Sequence, residues 1–161
     1  MVELEYRVGD LLVASRKGEV NVIGHGCNCF NTMGSGIAPQ IKKAYPSAYV
    51  VDCATEKGDP AKLGTFTRAE ENGVFIYNIY SQFGYWGRNH NARDLDYDAL
   101  RSALAHVRVD IKFLTYPEGG AVIGLPKIGA GLAGGDWEVI EKIIIEELSS
   151  YDLKVVIFTL E

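Results

Sequence analysis

The sequence predicts a three-layer α/β/α sandwich built on a mixed, about six-stranded sheet. Six short strand-like runs alternate along the chain with segments of helical periodicity. Three of those runs, at residues 20–25, 121–125 and 154–160, are almost continuously apolar, as expected of strands covered on both faces. Each helical segment carries one apolar stripe, so helices on both sides of a sheet account for the whole pattern.

The six expected strands lie at residues 4–8, 20–25, 65–68, 74–80, 121–125 and 154–160. Helices are expected from about residue 36 to just before Pro46, at residues 47–56 and 96–109, and after Asp136. The last helix has the clearest stripe, because Trp137, Ile140 and Ile144 recur at spacings of three and four. With neither a repeat nor a linker, we expect residues 1–161 to form one domain.

The composition excludes several classes of protein. A content of 47% hydrophobic and 23% charged residues argues against disorder, and the net charge of −5 disfavours direct nucleic-acid binding through the phosphate backbone. No apolar run approaches the roughly 20 residues of a membrane helix, and the acidic start does not resemble a signal peptide. Three cysteines do not suggest a disulfide framework. We therefore expect a cytoplasmic monomer.

Two glycine-rich segments each follow an apolar strand and precede a helix. Loop one covers residues 24–36, and loop two covers residues 129–136. Glycine lets the backbone approach a ligand closely, and free amides before a helix attract an anion. Two such loops at one edge of a sheet suit a pyrophosphate, although tight structural turns would produce the same spacing.

Loop two matches G-x-G-x-x-G, the dinucleotide-binding pattern, but its context does not fit. Only one strand follows the next helix, and the acidic residue expected about 20 positions on falls in a turn. A Walker loop is excluded as well, because no Gly-Lys-Ser/Thr follows.

The segment around His25, Cys27 and Cys29 contains residue types that bind metals or act as nucleophiles. With Cys53 these side chains form a candidate zinc set, but structural zinc sites use C-x₂₋₄-C pairs, which are absent. A phosphocysteine cradle would need an arginine six positions after its cysteine, and none is there. We therefore expect no metal or cofactor, and interpret Cys27 and Cys29 as small packing residues.

Three motifs in order resemble the macro domain family. They are the Gly-Asp-Leu at residues 9–11, the Val-Ile-Gly-His-Gly-Cys-Asn-Cys at 22–29 followed by Met-Gly-Ser-Gly-Ile-Ala at 33–38, and the Leu-Pro-Lys-Ile-Gly-Ala-Gly-Leu at 125–132. The match runs nearly end to end and favours the small single-domain subgroup of ADP-ribose 1″-phosphate phosphatases and terminal ADP-ribose protein glycohydrolases. This resemblance implies the macro domain fold and ADP-ribose as the ligand.

The resemblance also implies which residues would bind ADP-ribose. Asp10, assisted by the amide of Leu11, would contact the adenine, and Phe158 would lie beside it. One phosphate and the distal ribose would be bound by Gly34, Ser35, Gly36 and Ile37. The diphosphate would be enclosed from the other side by Ile128, Gly129, Ala130, Gly131, Leu132 and Ala133. The alternatives are that Asp10 caps a turn and that Phe158 belongs to the core.

The expected activity is hydrolysis of ADP-ribose 1″-phosphate, with His25 as nucleophile or acid–base group and Asn28 orienting the ribose or a water. The glycohydrolases of this subgroup use a lysine and an aspartate. In this sequence the lysine is absent from residues 80–82, and Ala133 occupies the position of the aspartate. Asp136 could replace that aspartate or could cap the last helix. A non-catalytic ADP-ribose-binding module and an ADP-ribosyl-protein glycohydrolase remain the alternatives.

The segment at residues 83–93 mixes aromatic, glycine, asparagine and basic residues. Residues 84–89 within it are a candidate cover for the ligand. Arg88 or Arg93 would contact a phosphate, and His90 is a candidate lid residue. The helical His106 is expected to be solvated.

Overall fold

A six-stranded sheet forms the centre of the protein, with strand order β1-β6-β5-β2-β4-β3. The computed structural model describes residues 4–87, 92–116, 119–148, 150 and 152–160. Neighbouring strands are parallel except for β3, which pairs antiparallel with β4. The predicted α/β class with a mixed sheet is therefore confirmed.

The elements alternate along the chain, with a 3₁₀ turn at Pro60–Lys62 before β3. They are β1 (Glu5–Val8), α1 (Leu11–Arg16), β2 (Val22–Cys27), α2 (Ala38–Ala44), α3 (Pro46–Cys53), β3 (Phe66–Glu71), β4 (Val74–Tyr80), α4 (Tyr97–Lys112), β5 (Ala121–Leu125), α5 (Trp137–Glu147) and β6 (Leu153–Thr159).

Helix α1 is an element that the sequence did not predict. Asp10 starts it by accepting hydrogen bonds from the amides of Leu12 and Val13 at 2.8 and 3.2 Å. Its first residues are apolar and its length is only six residues, so no helical period is visible in the sequence. Strand β2 also differs from the prediction, since it begins at Val22 and continues to Cys27.

Helices cover both faces of the sheet and enclose separate apolar clusters. One cluster joins α4 and α5 to the sheet, and the other joins α1, α2 and α3 to the opposite face. Along β2, Val22 belongs to the first cluster and Ile23 to the second, so alternate residues of this strand face different helical layers. Within the described part of the chain, no helix is both long and apolar enough to cross a membrane.

Candidate functional site

A cleft of about 230 Å³ lies at the carboxyl edge of the sheet, between the segments that follow β2 and β5. Parallel strands end at the same edge, so loops that are far apart in sequence meet there. The residues that line the cleft are Gly26, Cys27, Asn28, Thr32, Gly34, Ser35, Gly36, Ile37, Ala38, Gln82, Tyr85, Asp94, Pro126, Lys127, Ile128, Gly129, Gly131, Leu132 and Ala133. Both glycine-rich loops therefore contribute to one cleft.

Loop one is shaped by hydrogen bonds of its own side chains. The Asn28 carboxamide accepts from the Phe30 amide at 2.8 Å and donates to the Thr32 hydroxyl at 2.8 Å. This local bonding turns the chain immediately after β2. Gly36 has a φ of 65°, a conformation that glycine adopts without strain, and it places the backbone of loop one along the cleft.

A buried lysine stabilises the conformation of loop one. Lys62, only 7% exposed, donates through Nζ to the Cys29 carbonyl at 3.1 Å and to the Asn31 side chain at 2.5 Å. Asn31 has a φ of 58°, and its amide group donates to the Thr55 carbonyl at 3.0 Å. Side-chain contacts from the segment after α3 thus fix the conformation of loop one.

Loop two is held by backbone hydrogen bonds and close apolar contacts. The Gly135 amide donates to the Gly129 carbonyl at 2.8 Å, and the Gly134 amide donates to the Gly131 carbonyl at 3.1 Å. A Cβ at Gly129, whose φ is 78°, would lie 2.8 Å from the Leu95 side chain. Only glycine permits this approach, which brings the loop against the start of α4.

His25 does not line the cleft, and a catalytic role for it stays a prediction. It follows the β2 alternation onto the face covered by α3 and is only 1% exposed. Its Nε2 lies 2.7 Å from the Asn78 carboxamide oxygen, and Asn78 donates to the Ala48 carbonyl in α3. Burial lowers the pKa of His25 to about 4, despite the opposing hydrogen bond that the ring donates to the Asn78 oxygen. The enclosed imidazole is thus bonded to Asn78, which in turn is bonded to α3.

Asp136 does not line the cleft either. Its carboxylate accepts from the Glu138 amide at 2.9 Å and so caps α5. This placement agrees with the capping interpretation, and a catalytic role for Asp136 stays a prediction. Ala130, within loop two, also stands outside the cleft lining.

The expected adenine-binding residues lie beyond the cleft, toward β1 and β6. Asp10 is exposed and caps α1, as one of the two interpretations anticipated. Leu11 and Phe158 are 3% and 6% exposed, and the Arg7 guanidinium lies 5.4 Å from the centre of the Phe158 ring. Phe158 is thus largely a core residue, and contact with an adenine stays a proposal for all three residues.

Several residues of the cleft were not found by sequence reasoning. Asp94 and Lys127 are the charged members of the described lining, and Tyr85 is an aromatic member. The Gly87 amide donates to both carboxylate oxygens of Asp94 at 3.0 and 3.1 Å. Lys127 belongs to a motif that was recognised and Tyr85 to the segment considered as a cover for the ligand, whereas Asp94 has no local signal.

Other expectations concern the cysteines and the segment at residues 83–93. Cys27 and Cys29 are buried, and burial raises the pKa of the Cys29 thiol to about 11. No cluster of three potential metal ligands occurs among the residues that the structure describes. Arg93 is exposed, with its guanidinium 4.1 Å from the centre of the Tyr97 ring. Arg88 and His90 lie outside the described residues.

Comparisons with known proteins agree on one family. The family model of the macro domain matches residues 25–144. A 17.5 kDa protein of Enterobacteria phage T4 is 32% identical over 158 residues, which cover 95% of each chain. An ADP-ribose 1″-phosphate phosphatase of Debaryomyces hansenii is 27% identical, with 88% of this chain and 92% of that protein covered.

One further relative is much longer than this chain. A DNA ADP-ribosyl glycohydrolase of Mycobacterium tuberculosis is 26% identical over 88% of this chain but only 38% of its own length. Among solved structures, a Bacteroides thetaiotaomicron protein has a TM-score of 0.79 and 30% identity, with 98% of each chain covered. A macrodomain protein of Streptomyces coelicolor has a TM-score of 0.72 and 25% identity, over 98% of this chain and 99% of that one.

Proposed function

Because the chain belongs to the macro domain family, we propose that it binds ADP-ribose in the cleft and hydrolyses ADP-ribose 1″-phosphate to ADP-ribose and phosphate. The observation that carries this proposal is that Gly34–Ile37 in loop one and Ile128, Gly129 and Gly131–Ala133 at loop two line the same cleft. Backbone amides on two sides suit a diphosphate better than a single phosphate. The 27% identity to a named ADP-ribose 1″-phosphate phosphatase supports the same ligand class.

The order of the strands supports one orientation of the ligand. The carboxyl ends of β1, β6, β5, β2 and β4 follow one another along this edge of the sheet. At about 4.8 Å between strands they extend over roughly 19 Å, which suits an elongated ligand. We place the adenine toward Asp10 and Phe158, the diphosphate between the glycine-rich loops, and the distal ribose toward Asn28. Since the cleft holds only about 230 Å³, it would take the diphosphate and distal ribose and leave the adenine outside.

In the proposed reaction a water attacks the phosphorus of the 1″-phosphate. The bond from phosphorus to the C1″ oxygen breaks, and that oxygen takes a proton from solvent and leaves as the hydroxyl of ADP-ribose. Asp94 is the carboxylate in the described cleft lining, and we assign it the role of accepting the proton of the water. Lys127 would offset the negative charge of the phosphate, and Asn28 would orient the ribose.

The test compares phosphate release and ADP-ribose affinity in the same preparations. Asp94→Asn keeps an acceptor for the Gly87 amide but removes the base, so kcat should fall about 100-fold or more. The Kd of ADP-ribose, from isothermal titration, should change by less than about 3-fold, since a neutral amide retains the shape of the carboxylate. Asp98→Asn, an exposed acid in the first turn of α4, is the matched control.

Either of two results would contradict the phosphatase proposal. Unchanged phosphate release by Asp94→Asn would remove the assigned base. Stoichiometric binding of ADP-ribose without phosphate release by the unaltered protein would leave a binding module. The 26% identity to a DNA ADP-ribosyl glycohydrolase favours a second candidate, in which Asp94 directs the water to C1″ and ADP-ribose is released from a modified group. Release of ADP-ribose from such a conjugate would distinguish that reaction.

A further inference from the structure

A second cavity, of about 310 Å³, lies at the amino edge of the sheet, opposite the cleft. Its lining comes from the end of α4 and from Ala121 and Leu153, the first residues of β5 and β6. These strands are parallel, so their first residues lie at the far end of the sheet from the glycine-rich loops. The volume exceeds that of the cleft and reaches the lower limit of ligand pockets, about 300 Å³. We refer to it as the amino-edge cavity.

One wall of the amino-edge cavity is apolar. It is formed by Ile111 of α4, by Leu114 and Leu153, and by the ring of Tyr116. Ile111 and Leu153 are buried in the cluster that joins α4 and α5 to the sheet. The Tyr116 ring packs edge to face on Phe75, at 5.8 Å between centres, and its hydroxyl donates to the Ile111 carbonyl at 3.1 Å. Since that hydroxyl is already bonded, this wall offers a ligand apolar surface.

The side of the cavity formed by β5 is fixed by a side chain of another segment. The Asn21 carboxamide donates to the Gly120 carbonyl at 2.9 Å and accepts from the Val122 amide at 2.8 Å. Gly120 and Ala121, which both line the cavity, are therefore held in place by a residue that precedes β2. The cavity is thus preorganised, which lowers the entropy cost of binding.

Arg108 is the half-buried charged residue of the lining, whereas Lys112 and Asp152 are exposed. In the part of the chain that the structure describes, Arg108 Nε is buried and has no hydrogen-bond partner. A buried N–H group without an acceptor is costly, and more so when the group is charged. Nothing in the described fold satisfies this group, so a ligand oxygen is its missing partner.

The charges of the lining indicate what kind of anion fits. The edge of a guanidinium that contains Nε matches the two oxygens of a carboxylate. Lys112 and Asp152 are opposite in sign, so the lining as a whole carries one unit of positive charge, which a monoanion neutralises. We infer that the amino-edge cavity is a second ligand site, which binds a small monocarboxylate with an apolar body, the carboxylate on Arg108 and the body on the apolar wall.

Other ligand classes fit the cavity less well. Inorganic phosphate would leave the apolar wall without a partner, and a second negative charge would exceed the charge of the lining. An amine would place a cation beside Arg108. A polyanion such as nucleic acid would need an extended basic surface, which the net charge of −5 disfavours.

The probe for this site is 3-phenylpropionate, a monocarboxylate with an aromatic body. Its neutral amide, 3-phenylpropanamide, keeps the shape without the charge, and acetate keeps the charge without the body. A titration followed by amide chemical shifts should show Gly120 and Ala121 shifting with 3-phenylpropionate. Its Kd should be at least about 10-fold below that of either control compound. The amides of Gly34 and Gly129 in the cleft should not shift.

Variants of Arg108 test its role as the partner of the carboxylate. Arg108→Met removes the guanidinium from a chain of similar length, so the Kd of 3-phenylpropionate should rise about 10-fold or more. Because Nε has no internal partner, the melting temperature should not fall. Arg108→Lys keeps the charge without the planar edge, and the Kd should rise about 3-fold. Arg16→Met, which removes an exposed arginine from α1, is the matched control and should change neither quantity.

Each result has a definite consequence. If 3-phenylpropionate shifts neither Gly120 nor Ala121, or if its amide binds equally well, the inferred site is wrong. Full affinity in both Arg108 variants would exclude Arg108 as the partner and contradict the inference. Saturating ADP-ribose should leave the Kd of 3-phenylpropionate within about 2-fold, because the two sites lie at opposite edges of the sheet. Displacement by ADP-ribose would place the probe in the cleft and overturn the inference, whereas failure of ADP-ribose to bind would contradict the proposed function alone.

Discussion

The two glycine-rich loops line the same cleft but owe their shapes to different forces. Loop one is supported by side chains, above all the buried Lys62 ammonium that bonds Cys29 and Asn31. Loop two is supported by its own backbone hydrogen bonds and by the contact of Gly129 with Leu95. Loop one should therefore respond to the loss of buried polar groups, whereas loop two should respond to added volume.

The largest effect is expected from Lys62→Met. This change removes two hydrogen bonds from a buried cation and leaves the Cys29 carbonyl and the Asn31 side chain with fewer donors. Bonds to charged groups contribute about 1.5–3 kcal/mol each, so the free energy of unfolding should fall by roughly 4 kcal/mol. Urea denaturation measures this change, and the Kd of ADP-ribose should rise as loop one loosens.

The control for Lys62 is Lys43→Met, which removes an exposed lysine from the last turn of α2. It should change the free energy of unfolding by less than about 0.5 kcal/mol. If Lys62→Met left both stability and ADP-ribose affinity unchanged, side-chain support of loop one would be excluded.

A somewhat smaller effect is expected from acid, through His25. Its folded-state pKa of about 4 is below the ordinary value of 6.5, so the unfolded chain binds more protons between these pH values. The stability contributed by the neutral imidazole is complete above pH 6.5 and is lost as the pH falls toward 4. At about 1.4 kcal/mol per pKa unit, the loss is roughly 3 kcal/mol.

Chemical denaturation between pH 7 and pH 4 tests this dependence. His25→Gln should flatten the profile, because glutamine does not titrate, whereas His106→Gln on α4 should leave the slope in place. Phosphate release at neutral pH should survive in folded His25→Gln protein. Loss of turnover with ADP-ribose binding intact would support His25 as a catalytic residue.

Loop two is tested by adding a methyl group at a glycine, which should lower the free energy of unfolding by about 2 kcal/mol. In Gly135→Ala the new Cβ would contact Leu95 and lie 2.7 Å from the Gly129 carbonyl oxygen, so the backbone would have to move. Gly131→Ala is the matched control within the same loop, because a Cβ there meets nothing within 4 Å. Thermal unfolding should separate the two variants, and equal melting temperatures would refute the steric account of loop two.

The sequence was sufficient to predict the features whose signal is local, namely the strands and the two glycine-rich loops. Apolar runs located the strands to within a few residues, and the glycine spacing identified both loops of the cleft. The face of β2 on which His25 lies was not predicted, although the side of a strand on which a residue lies depends on alternation. Gly24 and Gly26 pack close to Leu125 and Ile128, so His25 between them faces the other layer. The two glycines that flank His25 were therefore a signal in the sequence that His25 faces the opposite side of the strand from them.

The remaining features arise from contacts between distant segments. Lys62 is 33 residues from Cys29, and no local pattern links them. Asp94 lies in the cleft lining, where its carboxylate accepts from the amide of Gly87, seven residues earlier. Asp136 was ambiguous in the sequence, since capping and catalysis use the same residue type. The structure shows that its carboxylate caps α5.

The central claim is that both loops bind one diphosphate, and amide chemical shifts during a titration with ADP-ribose test it most directly. The account predicts that the amides of Gly34 and Gly36 in loop one and of Gly129 and Gly131 in loop two shift together, with one common Kd. Shifts confined to one loop, or different Kd values for the two loops, would contradict the account.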